Sequence, residues 1–323
     1  MPTATGPEAG TSKLMSVRPF DWRDIPALHR NRHRSIYLHS QLLYTRGALV
    51  LPGTLLSYLA PSVGILTAIS NAEETKLIGQ TLHPSGFQSA YLTYITPEEG
   101  LSDRGLPVLI DYLARLAGRR GAFRLQADVN EQDTMFEVLR QEGFVVYTRQ
   151  RIWQLKNLPD GGGRPSYWRA VEDIDGIPIR SLYHNLVPPL VQQVEPLSNH
   201  GHDGLVYRLN GDLLAYVDLK YGHRGIWAQP FVHPDAGDVT EILSDLFTNL
   251  PYRRSRPVYF CVRSYQGWLE GGLKDLGAEI GPSQAVMVKH LVAHKKAERM
   301  FALPALEGGQ PEISAPIARS EHQ

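Results

Sequence analysis

Two stretches of the chain, residues 17–28 and residues 168–179, carry the same pattern far apart in the sequence. Each begins as a short apolar strand, passes through an acidic turn and continues into a helix that begins near a proline, Pro26 or Pro178. Similar sequences favour similar local structures, so any fold proposed for one copy must also suit the other. The repeat predicts a single module that is present twice.

The repeat continues in the same order further along the chain. Residues 95–97 (Ile-Thr-Pro) recur as residues 232–234 (Val-His-Pro), and Leu139 followed by Gly143 recurs as Leu273 followed by Gly277. A length of 323 residues also fits two domains, and residues 160–165 (Asp-Gly-Gly-Gly-Arg-Pro) form a strong break between the copies. We therefore predict domains at 15–156 and 167–292, a linker at 157–166, and disordered tails at 1–14 and 302–323.

Charge and cysteine content limit the partners of this chain. Lys+Arg and Asp+Glu both number 33, so no global field attracts nucleic acid or an anionic membrane. No run approaches the roughly 20 apolar residues of a membrane helix. Cys261 is the single cysteine, which excludes an internal disulfide and favours a reducing compartment. We expect a cytoplasmic protein with no metal site, no nucleic acid partner and no membrane partner. The oligomeric state is left open.

Periodicity gives both modules the same order of elements. The first is predicted to contain strands at 64–70, 76–83 and 89–96, a helix at 105–119, a strand at 122–129, a helix at 133–141 and a strand at 145–155. The second repeats this order with strands at 205–209, 213–221 and 225–232, a helix at 239–250, a strand at 258–262, a helix at 265–276 and a strand at 285–291. A helix after Asp24, with this residue as its cap, and a second helical stretch at 42–59 complete the first module. The expected class is α/β with a mixed, largely antiparallel sheet.

Each half resembles the GCN5-related N-acetyltransferase (GNAT) domain. Three features of each half carry the resemblance: the acidic opening turn, the strand ending in Ile-Thr-Pro or Val-His-Pro before the long helix, and the helix that ends at Gly143 or Gly277 before the last strand. The resemblance covers about residues 17–155 and 167–291. It implies two tandem acyl-CoA N-acyltransferase folds, with acetyl-CoA or another acyl-CoA as co-substrate.

In that family, the strand before the long helix pairs through its backbone with the pantetheine arm of the cofactor. The resemblance places this role on Thr93, Ile95 and Thr96, whose backbone donors are all present. In the second half Pro230 removes a donor from the corresponding strand. If either half binds acyl-CoA, the first half is therefore favoured.

The family also binds pyrophosphate with a glycine-rich loop that leads into the helix N-terminus. The resemblance assigns this role to Arg104 and Gly105, although Pro107 stands where a small residue is usual. An ordinary helix start with a solvated arginine explains the same residues. In the second half the loop contains Asp235, Asp238 and Glu241 and no basic residue. We therefore predict that the second half has lost cofactor binding.

The residues that move protons are not identified by the sequence. Many family members carry a tyrosine four residues before the helix-ending glycine, but Leu139 and Leu273 stand there. Asn130 is a candidate cofactor contact at the start of the following helix, and a turn or helix cap is the alternative. The phenols of Tyr91, Tyr94 and Tyr147 could supply a proton, and the carboxylates of Asp128 and Glu131 could accept one, but the sequence assigns none of them this role.

The expected activity is transfer of an acyl group from acyl-CoA to an amine on a small molecule or a peptide. Direct attack of the amine on the thioester needs no nucleophilic side chain. The alternative is a non-catalytic module that keeps the fold to bind a ligand or a protein, which the altered phosphate loops of both halves favour.

Overall fold

The computed structural model describes residues 16–47, 64–71, 76–156, 166–197 and 204–291. The predicted tails and all of the predicted linker except residue 166 lie outside the described residues, as does most of the helical stretch predicted at 42–59.

The described strands alternate with helices in the predicted order. The strands are β1 (Ser16–Pro19), β2 (Ile36–Tyr37), β3 (Ile65–Asn71), β4 (Lys76–Leu82), β5 (Ser89–Thr96), β6 (Arg124–Asn130), β7 (Val145–Leu155), β8 (Trp168–Ala170), β9 (Gly204–Leu209), β10 (Asp212–Tyr221), β11 (Ile226–Val232), β12 (Val258–Arg263) and β13 (Glu279–His290). The helices are α1 (Ile25–Asn31), α2 (Ser40–Arg46), α3 (Gly105–Arg119), α4 (Thr134–Gln141), α5 (Gly176–Leu186), α6 (Pro189–Val194), α7 (Val239–Thr248) and α8 (Leu269–Asp275).

All of the described strands belong to one continuous mixed sheet. Their order is β1-β3-β4-β5-β6-β13-β7-β12-β11-β10-β9-β8, with β2 beside β5. Read from either edge, three antiparallel contacts lead to one parallel pair, β5 with β6 in the first half and β11 with β12 in the second. The prediction of one module present twice within an α/β fold is confirmed.

The two sets of strands exchange their last strands at the centre of the sheet. β13 lies between β6 and β7 and is antiparallel to both, while β7 lies between β13 and β12. The last strand of each predicted domain therefore pairs with strands of the other. The domain boundaries themselves stay a prediction.

Helices cover both faces of this sheet. The apolar stripe of α3 is fully buried through Leu106, Leu109, Ile110 and Leu113, as its spacing predicts. These residues share one core with α4 and the first half of the sheet, and α7 and α8 pack in the same way on the second half. On the opposite face of the sheet, one smaller core packs against α1 and another packs against α5 and α6. The strand residues in these cores alternate with those that face α3, α4, α7 and α8. No helix among the described residues is long and apolar enough to cross a membrane.

The glycines of the repeat end equivalent helices. Gly143 and Gly277 have φ values of 81° and 74°, the left-handed region that glycine enters without strain. In both halves the next backbone N–H reaches back into the helix, from Phe144 to the Leu139 carbonyl and from Ala278 to the Leu273 carbonyl, at 3.0 Å. These caps turn the chain into β7 and β13.

Two expectations about local structure need correction. Asp24 makes no side-chain capping bond to α1, because its carboxylate accepts two hydrogen bonds from the Arg18 guanidinium at 2.7 Å and one from the Asp21 N–H at 3.0 Å. The helix predicted at 265–276 is a short 3-10 turn, Ser264–Gln266, followed by α8.

The second half repeats the ion pair at Asp24. Asp175 accepts two hydrogen bonds from Arg169, at 2.7 and 2.8 Å, and a third from Arg208 at 2.8 Å. Its side chain is fully buried, which on its own would raise the pKa of the carboxyl. The hydrogen bonds from Arg169 and Arg208 outweigh burial and lower this pKa from 3.8 to about 2.

We expect Asp175→Asn to lower the free energy of unfolding at neutral pH by on the order of 2 kcal/mol, since charged hydrogen bonds are lost. A carboxyl whose pKa is lowered by folding stabilises the protein above its unfolded pKa and loses that contribution as the pH falls through its folded pKa. The difference between wild type and variant should therefore shrink from pH 4 towards pH 2. Urea unfolding across this range tests it, with Asp173→Asn on the exposed side of the same turn as control. A difference that does not depend on pH would contradict the assignment.

Candidate functional site

The first candidate site is the gap where β5 and β6 part. These strands pair in parallel only through residues 89–91 and 124–126. Thr93, Ile95 and Thr96 lie on β5 beyond the last paired residue, where the resemblance places the pantetheine contacts. This gap is called the first cleft below.

The chain itself fills the first cleft. Ile36 and Tyr37 of β2 pair with Ile95 and Tyr94 of β5. The N–H of Leu38 donates to the Thr93 carbonyl at 2.9 Å, and the Leu38 carbonyl accepts from the N–H of Asp128 on β6 at 2.8 Å. Residues 34–38, called the insert below, thus bridge the two separating strands as an added strand would. In this structure the insert therefore pairs with the backbone of Thr93 and Ile95, and a cofactor contact at these residues stays a prediction.

The side chains of the predicted strand residues also have partners within the protein. The Thr93 hydroxyl donates to the Gln80 carbonyl at 3.0 Å, and the Thr96 hydroxyl donates to the Asn31 carbonyl at 2.8 Å. Thr96 is fully buried and pairs with Ile78 of β4. These hydroxyls therefore hold β5 to its neighbours in this structure.

The insert is anchored at its far end by the carboxylate of Asp128, whose side chain is 15% exposed. Asp128 accepts a hydrogen bond from the Ser40 N–H at 2.8 Å and lies 4.0 Å from Nδ1 of His39. Burial would raise the pKa of Asp128, but His39 and the Ser40 N–H outweigh it and leave this pKa below its usual value. His39 in turn stacks on Tyr91 of β5 with 4.6 Å between ring centroids. Asp128 is therefore occupied as an anchor of α2.

The predicted phosphate position lies at the start of α3. Arg104 is exposed and Gly105 is buried. However, the Gly105 N–H donates to Oδ1 of Asp103 at 2.7 Å, and Pro107 has no N–H to offer. A carboxylate of the chain thus already binds the first free donor of this helix.

Asn130 ends β6 and makes a turn. Its Oδ1 accepts the Gln132 N–H at 3.1 Å, and its carbonyl accepts the Asp133 N–H at 3.0 Å. The alternative given by the sequence, a strand-end turn, describes these contacts. A cofactor contact at Asn130 stays a prediction.

The second half contains the equivalent gap, where β11 and β12 part after residues 226–228 and 258–260. This second cleft is filled by one side chain, Gln266, which is fully buried. Its Oε1 accepts the Val232 N–H at 3.0 Å and its Nε2 donates to the Pro230 carbonyl at 2.8 Å. At the start of α7, Asp238 accepts the N–H groups of Thr240 and Glu241. Both phosphate positions therefore carry an aspartate of the chain.

An ion pair between a buried arginine, Arg263, and the partly exposed Glu195 lies close to the centre of the sheet. Arg263 ends β12, is 5% exposed, and donates from Nη2 to Glu195 at 2.6 Å. Tyr147 donates its phenol proton to the same carboxylate. Burial raises the pKa of the Tyr147 phenol, and the charge of Glu195 raises it further, so this group stays protonated at neutral pH. Nε and Nη1 of Arg263 have no hydrogen-bond partner among the described residues.

A surface cleft of about 420 Å³ lies against β7 and α6, beside this pair. Tyr147, Tyr265 and Val191 contribute to its walls. Burial raises the pKa of the Tyr265 phenol as well, so both phenols are hydrogen-bond donors and not bases. Among the described residues, no group of three or more His, Cys, Asp or Glu side chains is placed to hold a metal ion.

The sequence did not point to the insert, to Gln266 or to the Arg263–Glu195 pair. A glutamine that follows an apolar strand belongs to no recognisable sequence motif. Residues 34–38 show no pattern that would distinguish them from a loop. One usable signal existed for Gln266, because it stands eleven residues before Gly277, and Gln132 stands at the same distance before Gly143.

Comparison with solved structures identifies the fold. The chain is similar to a GCN5-related N-acetyltransferase from Sphaerobacter thermophilus, with a TM-score of 0.51 and 13% identity over 85% of this chain and 95% of that one. A tandem GNAT protein from the clavulanic acid biosynthesis pathway gives a TM-score of 0.48 and 15% identity over 85% and 98%. No family model and no curated protein matches the sequence.

The chain therefore has the GCN5-related N-acetyltransferase fold, and its strand order carries that fold twice in tandem. At 13% identity the likeness speaks for the fold alone.

Proposed function

We propose that this protein is an acyl-CoA-dependent N-acyltransferase whose cofactor binds in the first cleft once the insert has moved aside. The observation that carries the proposal is the acetyltransferase fold itself, in which β5 and β6 part. Moving the insert aside would free the Thr93 carbonyl and the Ile95 backbone. In the reaction, an amine attacks the thioester carbonyl, a C–N bond forms, the C–S bond breaks, and the amine proton leaves with the CoA thiol. The acceptor is an amine of a small molecule or a peptide.

The first half is the better host for three reasons. Its cleft is filled by a short loop between two helices, whereas the edge of β11 in the second cleft lacks the N–H of Pro230. Its long helix begins beside the exposed cation Arg104. The second half instead has Asp235, Asp238 and Glu241 around the corresponding helix start, where like charges oppose a pyrophosphate.

Displacing the insert weakens the apparent affinity. A ligand that binds only a minor conformation loses affinity in proportion to the population of that conformation. Asp103 must also release the Gly105 N–H before a phosphate can take its place. We therefore expect weak binding of acetyl-CoA or a longer acyl-CoA, at one site.

Arg104→Glu should weaken acetyl-CoA binding by about 1 kcal/mol, or about fivefold, because it reverses a charge at the helix N-terminus. Calorimetric titration of the intact protein measures this, with Arg119→Glu at the far end of the same helix as matched control. Unchanged affinity in Arg104→Glu, or a cofactor that binds only in the second half, would show the assignment to be wrong.

The same titration tests the insert. The double variant Ile36→Gly, Tyr37→Gly raises the conformational free energy needed to order β2 by roughly 0.5–1 kcal/mol per glycine. Because the insert then leaves the cleft more easily, the affinity for acetyl-CoA should increase about fivefold. The two variants thus shift affinity in opposite directions. Equal loss in both would indicate general damage to the first half and not two distinct roles.

A second candidate function is supported by a specific observation. Both clefts and both helix starts are filled by groups of the chain itself, namely the insert, Gln266, Asp103 and Asp238. A non-catalytic protein that keeps this fold to bind a different ligand needs no open cofactor site. Absence of any heat of binding with acetyl-CoA and CoA, in wild type and in the insert variant alike, would favour this candidate.

A further inference from the structure

Gln266 makes in the second cleft the contacts that the insert makes in the first. The repeat aligns Ile95 with Val232, and therefore Thr93 with Pro230. In the first cleft the Thr93 carbonyl accepts from Leu38, and Ile95 pairs with Ile36. In the second, the Pro230 carbonyl and the Val232 N–H bind the two ends of one carboxamide.

A side-chain amide satisfies both groups because it carries a donor and an acceptor in one plane, as a peptide bond does. The carbonyl of Pro230 and the N–H of Val232 lie two residues apart on the edge of β11 that faces the gap. An amide laid along that edge pairs with both at once, and this is how an added strand or an amide-containing ligand binds a sheet edge. Gln266 is fully buried, so this edge has no other access to solvent at this point.

We propose that Gln266 is the residue that closes the second cleft to acyl-CoA, by placing its carboxamide where an amide of the pantetheine arm would pair with β11. The proposal rests on the ligand class proposed above, but not on binding in the first half. It differs from the expectation that the acidic loop excludes the cofactor, because the cleft stays closed whatever the charge of that loop.

Gln266 satisfies two backbone groups on the buried edge of β11. Without the carboxamide, a backbone N–H and a carbonyl would be buried without partners, and such groups are rare in folded proteins. A ligand amide that enters the emptied space restores both hydrogen bonds. Removal of Gln266 therefore creates both the space and the demand for a ligand of this chemistry.

The experiment counts CoA sites by calorimetry in three forms of the intact chain. The loop variant carries Asp235→Gly, Asp238→Gly and Glu241→Lys; glycine at Asp238 remains a tolerated helix cap. The cleft variant carries Gln266→Ala, and the third form combines both. We expect no added site in the loop variant and one added site in the combined form. An added site in the loop variant alone, or none in the folded combined form, would overturn the proposal.

Two controls keep the result interpretable. Gln192→Ala removes a side-chain amide that bridges two backbone carbonyls, those of His184 and Val187, away from the cleft. Should Gln266→Ala fail to fold, Gln266→Ser leaves room for water to satisfy the edge and replaces it. Hydrogen exchange of residues 226–232 gives an independent readout: it should speed up in the combined form and slow again when CoA is added, and exchange that CoA leaves unaltered would count against the proposal.

The outcome separates this proposal from the proposed function. If wild type binds no acyl-CoA and the combined form gains a site, the first-half assignment fails and the role of Gln266 stands. If wild type binds one equivalent and the combined form gains none, the reverse holds.

Discussion

Expressed without the second half, residues 1–156 are expected not to fold. β13 supplies the neighbour of β6 through residues 284–290 and the neighbour of β7 through residues 279–288. In its absence β6 presents an unpaired edge at the centre of the sheet, and β7 loses both of its partners because β12 is missing as well. Unpaired central edges leave buried backbone groups unsatisfied and promote aggregation.

The test is to produce residues 1–156 and residues 157–323 separately and together. Each part alone should lack cooperative thermal unfolding, and the two together should form a one-to-one complex that unfolds cooperatively. A chain cut once between residues 157 and 165 is the control, since it breaks the connection without removing a strand. Cooperative unfolding of residues 1–156 alone, near the Tm of the intact chain, would contradict this expectation and show that each half can close its own sheet.

Glu195→Leu is expected to lower the free energy of unfolding by about 3 kcal/mol, at the low end for a broken buried pair. Arg263 would remain charged at 6% side-chain exposure with no carboxylate beside it. In the wild type, Glu195 raises the pKa of this guanidinium well above its usual value, although burial lowers it. Arginine is not deprotonated in proteins, so the cation of the variant does not escape by losing its proton. Tyr147 loses this carboxylate acceptor in the same variant and keeps Oε1 of Gln126 at 3.3 Å.

Chemical denaturation measures this loss, and a second variant identifies its cause. Arg263→Met in the Glu195→Leu background removes the stranded charge and should recover most of the stability. The matched control is Glu270→Gln, which breaks the Arg151–Glu270 pair at 3.1 Å with side chains 43% and 30% exposed. There the loss should stay within about 1 kcal/mol. Equal losses in Glu195→Leu and Glu270→Gln would show that burial of Arg263 is not what makes its pair important.

The sequence located the elements of this fold well where the signal is local. β5, α3 and β7 begin and end where the periodicity predicts, because apolar spacing identifies the buried face of a helix or strand directly. Gly143 and Gly277 end their helices as predicted, since a left-handed cap is a property of one residue. The resemblance to acetyltransferases rested on these local marks, and the fold agrees with it.

The candidate site was predictable only in part. The resemblance selected one strand and one helix start, and the structure has Thr93 and Ile95 on β5 and Gly105 at the start of α3. A cofactor contact at these residues stays a prediction. The resemblance could not reveal that Leu38 and Asp103 bind the same backbone groups. The sequence is the same whether a backbone group is free or hydrogen-bonded. Whether such a group is available to a cofactor depends on which segment of the chain packs against it.

The sequence by itself determined that this chain contains the same α/β module twice. Periodicity, helix caps and turns each depend on residues that are close together in the sequence, so both copies could be recognised directly. Only the tertiary structure decided that β7 and β13 change places at the centre of the sheet, and that the insert and Gln266 close the two clefts. The alternation of apolar and polar residues along a strand predicts which side chains face the core, but it does not predict which strand pairs with it. That neighbour is chosen by hydrogen bonds and packing between segments far apart in the chain, and these exist only once the chain has folded.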